Sequence, residues 1–127
     1  MKPITSEWVA KAEGDFATAV RELNAPSDPN YDAVCFHAQQ CAEKYLKAWL
    51  EEHNTAFPRM HDLVALLNLC GGLLPELDPL KPRLAHLSVF GIASRYPGVR
   101  ADQQAGEEAL TTAEEVRTVV RAKFGLP

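Results

Sequence analysis

The stretch YDAVCFHAQQCAEKYLKAWL, residues 31–50, decides the fold. Tyr31, Val34, Cys35, Ala38, Cys41, Ala42, Tyr45, Leu46, Trp49 and Leu50 recur at steps of three and four, the period of an α-helix with one apolar side. The pattern predicts a helix over residues 31–53. The other side carries His37, Gln40, Lys44 and Lys47 at steps of three, four and three, so these four point in roughly one direction.

Working outward, Trp8, Ala12, Phe16, Ala19 and Leu23 make one apolar stripe on a helix over residues 6–23, with Thr5 or Ser6 as its cap. NAPSDPN, residues 24–30, breaks the chain between the two helices. NTAFPRM, residues 54–60, is a connection, and a third helix starts near His61-Asp62 and ends at Gly71-Gly72. Asp78-Pro79 reads as a cap followed by a first-turn proline, with Pro82 as the rival start. The fourth helix continues to Arg95, turning Leu80, Leu84, Leu87 and Phe90 inward, and Gly91 permits a close helix contact. The last helix covers residues 103–124, with Ala109, Ala113, Val116 and Val120 on its stripe and acids preceding bases in the order its dipole favours. No strand pattern competes. The expected architecture is all-α, an antiparallel four- to five-helix up-and-down bundle formed as one domain over residues 1–127.

A chain of 127 residues with 46% hydrophobic content has material for a real core and is not disordered. No run approaches the ~18 apolar residues that suggest a membrane span, and the N-terminus lacks a secretory signal's apolar centre. A cytoplasmic protein with no membrane partner is expected. Cys35, Cys41 and Cys70 form no CxxC pair and read as reduced packing groups. The four histidines offer no HxxxH pair, so no zinc site, other metal or cofactor is expected. A net charge of −4 argues against holding nucleic acid by global attraction but leaves room for a local basic groove.

The residues able to carry chemistry are His37, Lys44, Lys47, His61, Asp62, Arg95 and Tyr96. His37 and Lys44 lie two helical turns apart on one face, and such a cationic pair can meet phosphate; on spacing alone an ordinary polar helix face is the better explanation. Asp62 can cap its helix while His61 closes the connecting loop, or His61 can exchange protons beside a substrate. In ASRYPG, residues 93–98, the proline favours a helix boundary. Arg95 can grip phosphate bidentately and Tyr96 can stack on a base. Arginine near a helix C-terminus also suits the dipole, and tyrosine commonly seals a core edge, so both readings stand.

In combination, WVAKAEGDFATA, YDAVCFHAQQCAEKYLKAWL, PRMHDLVALL and SRYP resemble the HEPN domain family, in its branch with a terminal Arg-Tyr-Pro element, over nearly the whole chain. The block from His37 to Gln40, followed by Ala42-Glu43-Lys44, is the most specific part. The resemblance implies a helical bundle that forms a homodimer, with polar residues of both copies meeting in a cleft. Many members resemble RNA-cleaving toxins with an Arg-x(4–6)-His motif; others bind nucleotide or work beside a minimal nucleotidyltransferase that modifies a tyrosine. Here no arginine has histidine at that spacing: Arg95 is followed by none, and Arg83 and Arg59 reach His86 and His61 too early. The leading expectation is therefore a module that binds nucleotide or RNA phosphate through Arg95, Tyr96, His37, Lys44, Lys47 and His61, paired with a nucleotidyltransferase in a toxin–antitoxin-type arrangement. The alternatives are a metal-independent endoribonuclease toxin and a non-catalytic protein-interaction module.

Overall fold

Two long helices, α1 (Pro3–Leu23) and α2 (Tyr31–Glu52), pack against each other along most of their length. Then come the short α3 (Leu63–Leu69), a 3₁₀ turn (Pro75–Leu80), α4 (Lys81–Ala93) and α5 (Gln103–Lys123). The computed structural model describes all 127 residues and contains no strand, so the protein is an all-α bundle.

The apolar side predicted for α2 is the centre of the core, and α1, α3, α4 and α5 all lie against this helix. Val34, Cys35, Ala38, Cys41, Ala42, Tyr45, Leu46 and Leu50 are fully buried. Alanines and cysteines bring the neighbours close, while each buried leucine contributes about 2 kcal/mol through removal of apolar surface from water. The stripe of α5 is buried as expected, at Ala109, Ala113, Val116 and Val120. Where α4 crosses α2, Gly91 fulfils its expected role: a Cβ there would stand 2.6 Å from the Gln39 Cβ and 3.0 Å from the Cys35 carbonyl oxygen. Only a residue without a side chain allows that crossing.

Helix ends differ from expectation in three places. First, α1 begins at Pro3 rather than at Ser6, because proline suits a first turn, where its missing N–H has no partner to lose. Thr5 is consequently inside the helix and buried, donating its hydroxyl to Glu52 Oε1 at 2.9 Å rather than capping. Second, Asp78-Pro79 lies within the 3₁₀ turn, and Pro82 supplies the first-turn proline of α4. Third, α4 stops at Ala93, and Arg95 and Tyr96 continue through turn bonds from their N–H groups to Ile92 and Ala93. At α3, Asp62 caps as expected, accepting from the Val64 and Ala65 N–H groups.

A candidate site on the polar side of helix α2

Two carboxylates organise the polar groups of α2. Asp15 of α1 accepts from Lys44 Nζ at 2.6 Å through one oxygen and meets His37 Nδ1 at 2.8 Å through the other. Thus His37 and Lys44 do share a direction, and the direction leads to Asp15. Glu43 of α2 holds a second set. Lys47 Nζ donates to it at 3.1 Å, His61 Nδ1 lies 2.7 Å away, and Gln39 Nε2 donates to it at 3.1 Å. The Gln39 amide also donates to the His61 carbonyl at 2.9 Å and so fastens the connecting loop to α2.

Both histidines use Nδ1 for their carboxylate, which leaves Nε2 free to exchange a proton. His37 is about one third exposed and His61 about two thirds. Lys47 departs from expectation. The helical spacing puts it on the open polar face, but only 7% of the residue is accessible, because Trp8 of α1 and Phe57 of the connection cover it. Its ammonium lies 5.7 and 5.8 Å from those two ring centroids, within cation–π range. A lysine enclosed in this way and paired with Glu43 is poorly placed to meet a phosphate.

Arg95 is exposed, and no carboxylate lies within salt-bridge distance of it. Its guanidinium stacks on Phe36 at 4.6 Å, and Phe36 in turn meets the His37 ring edge-on at 5.2 Å. Phe36 and Gln40 are one helical turn apart, so the row runs from Arg95 over Phe36 to Gln40. Gln40 donates to Gln39 Oε1 at 2.7 Å. The Asp15–His37 pair flanks this row on the α1 side, and the Glu43–His61 pair flanks it toward α3. Tyr96 is 59% exposed and faces solvent, with its ring 5.9 Å from the Arg95 guanidinium.

Asp15, Gln39, Glu43 and Phe36 were missed as members of this site. Asp15 carried a signal: it stands three residues after Ala12 and four before Ala19, in the stripe that turns inward, where a carboxylate needs a cation. Glu43 and Lys47 form an i,i+4 pair, but the pattern gives no hint that the pair is covered.

Other ionisable groups serve the frame. Glu13 receives Arg117 Nε and Nη2 at 2.7 and 2.8 Å and also the Tyr45 hydroxyl, tying α1, α2 and α5 together. The Arg117 hydrogen bonds hold the Glu13 carboxyl below its ordinary value against the opposing effect of burial. Burial pushes the Cys35 thiol up to about 11 and Cys70 up to about 12, and raises Cys41 as well. All three are free, buried packing groups rather than thiolates. No three His, Cys, Asp or Glu side chains are grouped so as to hold a metal ion.

A model of the HEPN domain matches residues 5–123. The chain belongs to the HEPN domain family. No curated protein and no solved structure matches it. The matched range of this HEPN domain takes in both carboxylate-centred sets and the Arg95-Tyr96 turn. No helix of the domain is long and apolar enough to cross a membrane.

Proposed function

We propose that this HEPN domain cleaves RNA without a resident metal, using His37 as the proton acceptor and Arg95 as the phosphate anchor. The carrying observation is the adjacency of a carboxylate-held imidazole and an unpaired guanidinium: Asp15 fixes His37 at 2.8 Å, and His37 packs against the ring on which Arg95 lies. Such an imidazole can take the proton of a ribose 2′-hydroxyl as that oxygen attacks the neighbouring phosphorus. The 5′-oxygen of the next nucleotide leaves with a proton, and a 2′,3′-cyclic phosphate remains. Arg95 offsets the charge that gathers on the phosphate oxygens. His61, fixed by Glu43, is a second imidazole able to carry a proton. Lys44 and Lys47 act through the carboxylates they pair with rather than on substrate. This arrangement would substitute for the absent Arg-x(4–6)-His spacing.

The test is incubation of end-labelled single-stranded RNA with purified protein in excess chelator. Cyclic-phosphate products that disappear in both His37→Ala and Arg95→Ala are expected. Intact RNA after prolonged incubation with folded wild-type protein would overturn the reading.

One observation favours a second reading, a nucleotide-binding partner of a nucleotidyltransferase. The Tyr96 ring stands open to solvent beside Arg95, where a nucleotide could stack and the phenol could be modified. Binding of ATP that is lost in Arg95→Ala, with no RNA cleavage, would select this reading. The homodimer suggested by the resemblance has a candidate surface in the apolar cleft of Val64, Ala85, Val89 and Ile92, where Val89 is 72% exposed. A monomer in light scattering at high concentration would remove it.

A further inference from the structure

A second cleft, with a volume of about 340 Å³, opens between α4 and α5. It shares no residue with the polar side of α2. Its cause lies in side-chain size: besides Glu108 and Thr112, α5 presents only the small Ala105 and Ala109 across from Leu87 and Phe90, so the two helices leave a gap between them. One wall is aromatic. His86 and Phe90, one turn apart on α4, stack on each other, with centroids 5.4 Å apart and only 11° between their planes, so the pair offers an outer ring face. Across the gap stands Glu108, with no cation within salt-bridge distance. Its Oε1 accepts from Gln104 at 3.0 Å, and no hydrogen bond from the protein reaches Oε2. Arg83 sits exposed at the rim and donates through both terminal nitrogens to Glu115, at 2.5 and 3.3 Å.

An aromatic pair with a ring face to stack on, an alanine floor and one unpaired carboxylate select a planar ring whose edge carries adjacent donors. A carboxylate only accepts hydrogen bonds. Among the four RNA bases, guanine alone offers two neighbouring N–H donors, at N1 and N2, that can meet both carboxylate oxygens. On adenine and cytosine, the amino group adjoins a ring nitrogen that accepts, and that nitrogen would face the carboxylate unfavourably. Arg83 is placed to turn from Glu115 toward a phosphate attached to such a base. We propose that the α4–α5 cleft binds guanine, carried either by a free nucleotide or by an RNA strand, with stacking on an outer face of the His86–Phe90 pair and edge recognition by Glu108.

The test is calorimetric titration of the full chain with GMP, with AMP, and with two short single-stranded RNAs, one containing a single guanine and one containing none. GMP is expected to bind about tenfold more tightly than AMP, the discrimination a good bidentate contact provides. Glu108→Gln should erase that preference, and His86→Ala should weaken GMP binding by removing part of the stacking wall; both positions are exposed, so both variants should fold. GMP binding should persist in Arg95→Ala, which separates this site from the cleavage reading. Equal affinity for GMP and AMP, an unchanged preference in Glu108→Gln, or loss of GMP binding in Arg95→Ala would each overturn the proposal. Tighter binding of the guanine-containing RNA than of GMP would identify an RNA strand as the source, and the converse a free nucleotide.

Discussion

Asp15 and Glu43 hold the same kinds of partner, one imidazole and one ammonium each, on either side of the exposed row of α2. They differ in their surroundings. In the Asp15 set both cations reach water, Lys44 22% and His37 30% exposed, although the carboxylate itself is only 11% exposed. In the Glu43 set the carboxylate and the ammonium are 5% and 9% exposed, and only the imidazole reaches water. Identical chemical groups therefore do different work. Exposed pairs are loosely held and weak, whereas a buried pair that loses one member leaves a charge stranded in a poor solvent. The Glu43 set belongs mainly to the fold, whereas both cations of the Asp15 set stay within reach of solvent.

The harshest way to break this comparison is Glu43→Ala. It strands the Lys47 ammonium beneath Trp8 and Phe57 and should cost about 3–5 kcal/mol in urea unfolding. Replacing both members, Glu43→Leu with Lys47→Met, should recover most of that loss; a double variant as unstable as the single one would show that the pair is not the source. Next comes Gly91→Ala, which disturbs the platform beneath both sets by driving a methyl group into Gln39 and should cost about 1–3 kcal/mol by thermal melting. Asp15→Asn sharpens the contrast. It should cost less than Glu43→Ala, about 1–2 kcal/mol in stability, and, if His37 is the proton acceptor proposed above, slow RNA cleavage by about 100-fold, because His37 loses the group that orients it. A loss of stability equal to that of Glu43→Ala would erase the distinction between the two sets. Arg95→Ala should change stability by less than about 0.5 kcal/mol while weakening RNA binding about tenfold through loss of a charged hydrogen-bond donor.

A third carboxylate, Glu13, gives a comparison by pH. Its folded value is lowered, so its contribution is complete above its ordinary value of 4.5 and is lost as pH falls through the lower folded value. Glu13→Gln should flatten the acid side of the stability profile, measured as melting temperature against pH. A profile identical to that of the wild-type chain would show that the Arg117 contact does not set it.

The apolar period of α2 and the alanine and valine stripe of α5 were legible because burial there follows the helical repeat. Gly91 was legible because a glycine amid inward leucines has few other uses. The cover over Lys47 was not, since a wheel gives a side chain's direction but not what a neighbouring element lays across it. Trp8 lies far from Lys47 in sequence and Phe57 past the end of α2, and nothing local marks either as its roof. Thr5 illustrates the same limit: its capping signal was real, but a proline two residues earlier and an acceptor at Glu52 drew it into the helix. The contact between Arg95 and Phe36 joins residues almost sixty positions apart, and it depends on the crossing that Gly91 allows.

The turn that carries Arg95 and Tyr96 is closed by one residue of α2. Ser94 Oγ donates to the Asp32 backbone oxygen at 3.4 Å, and the Ala101 N–H donates to the Asp32 carboxylate at 2.6 Å. Residues 95–100 are thus tied at both ends to the start of the central helix before any ligand arrives. The entropy of ordering this segment has been spent during folding, so an anion that docks on Arg95 need not supply it again. Binding there should show a small heat-capacity change and an association rate limited by encounter rather than by rearrangement. Asp32→Ala would release the tether, and its signature would be slower association, with the contacts of the bound state unaltered.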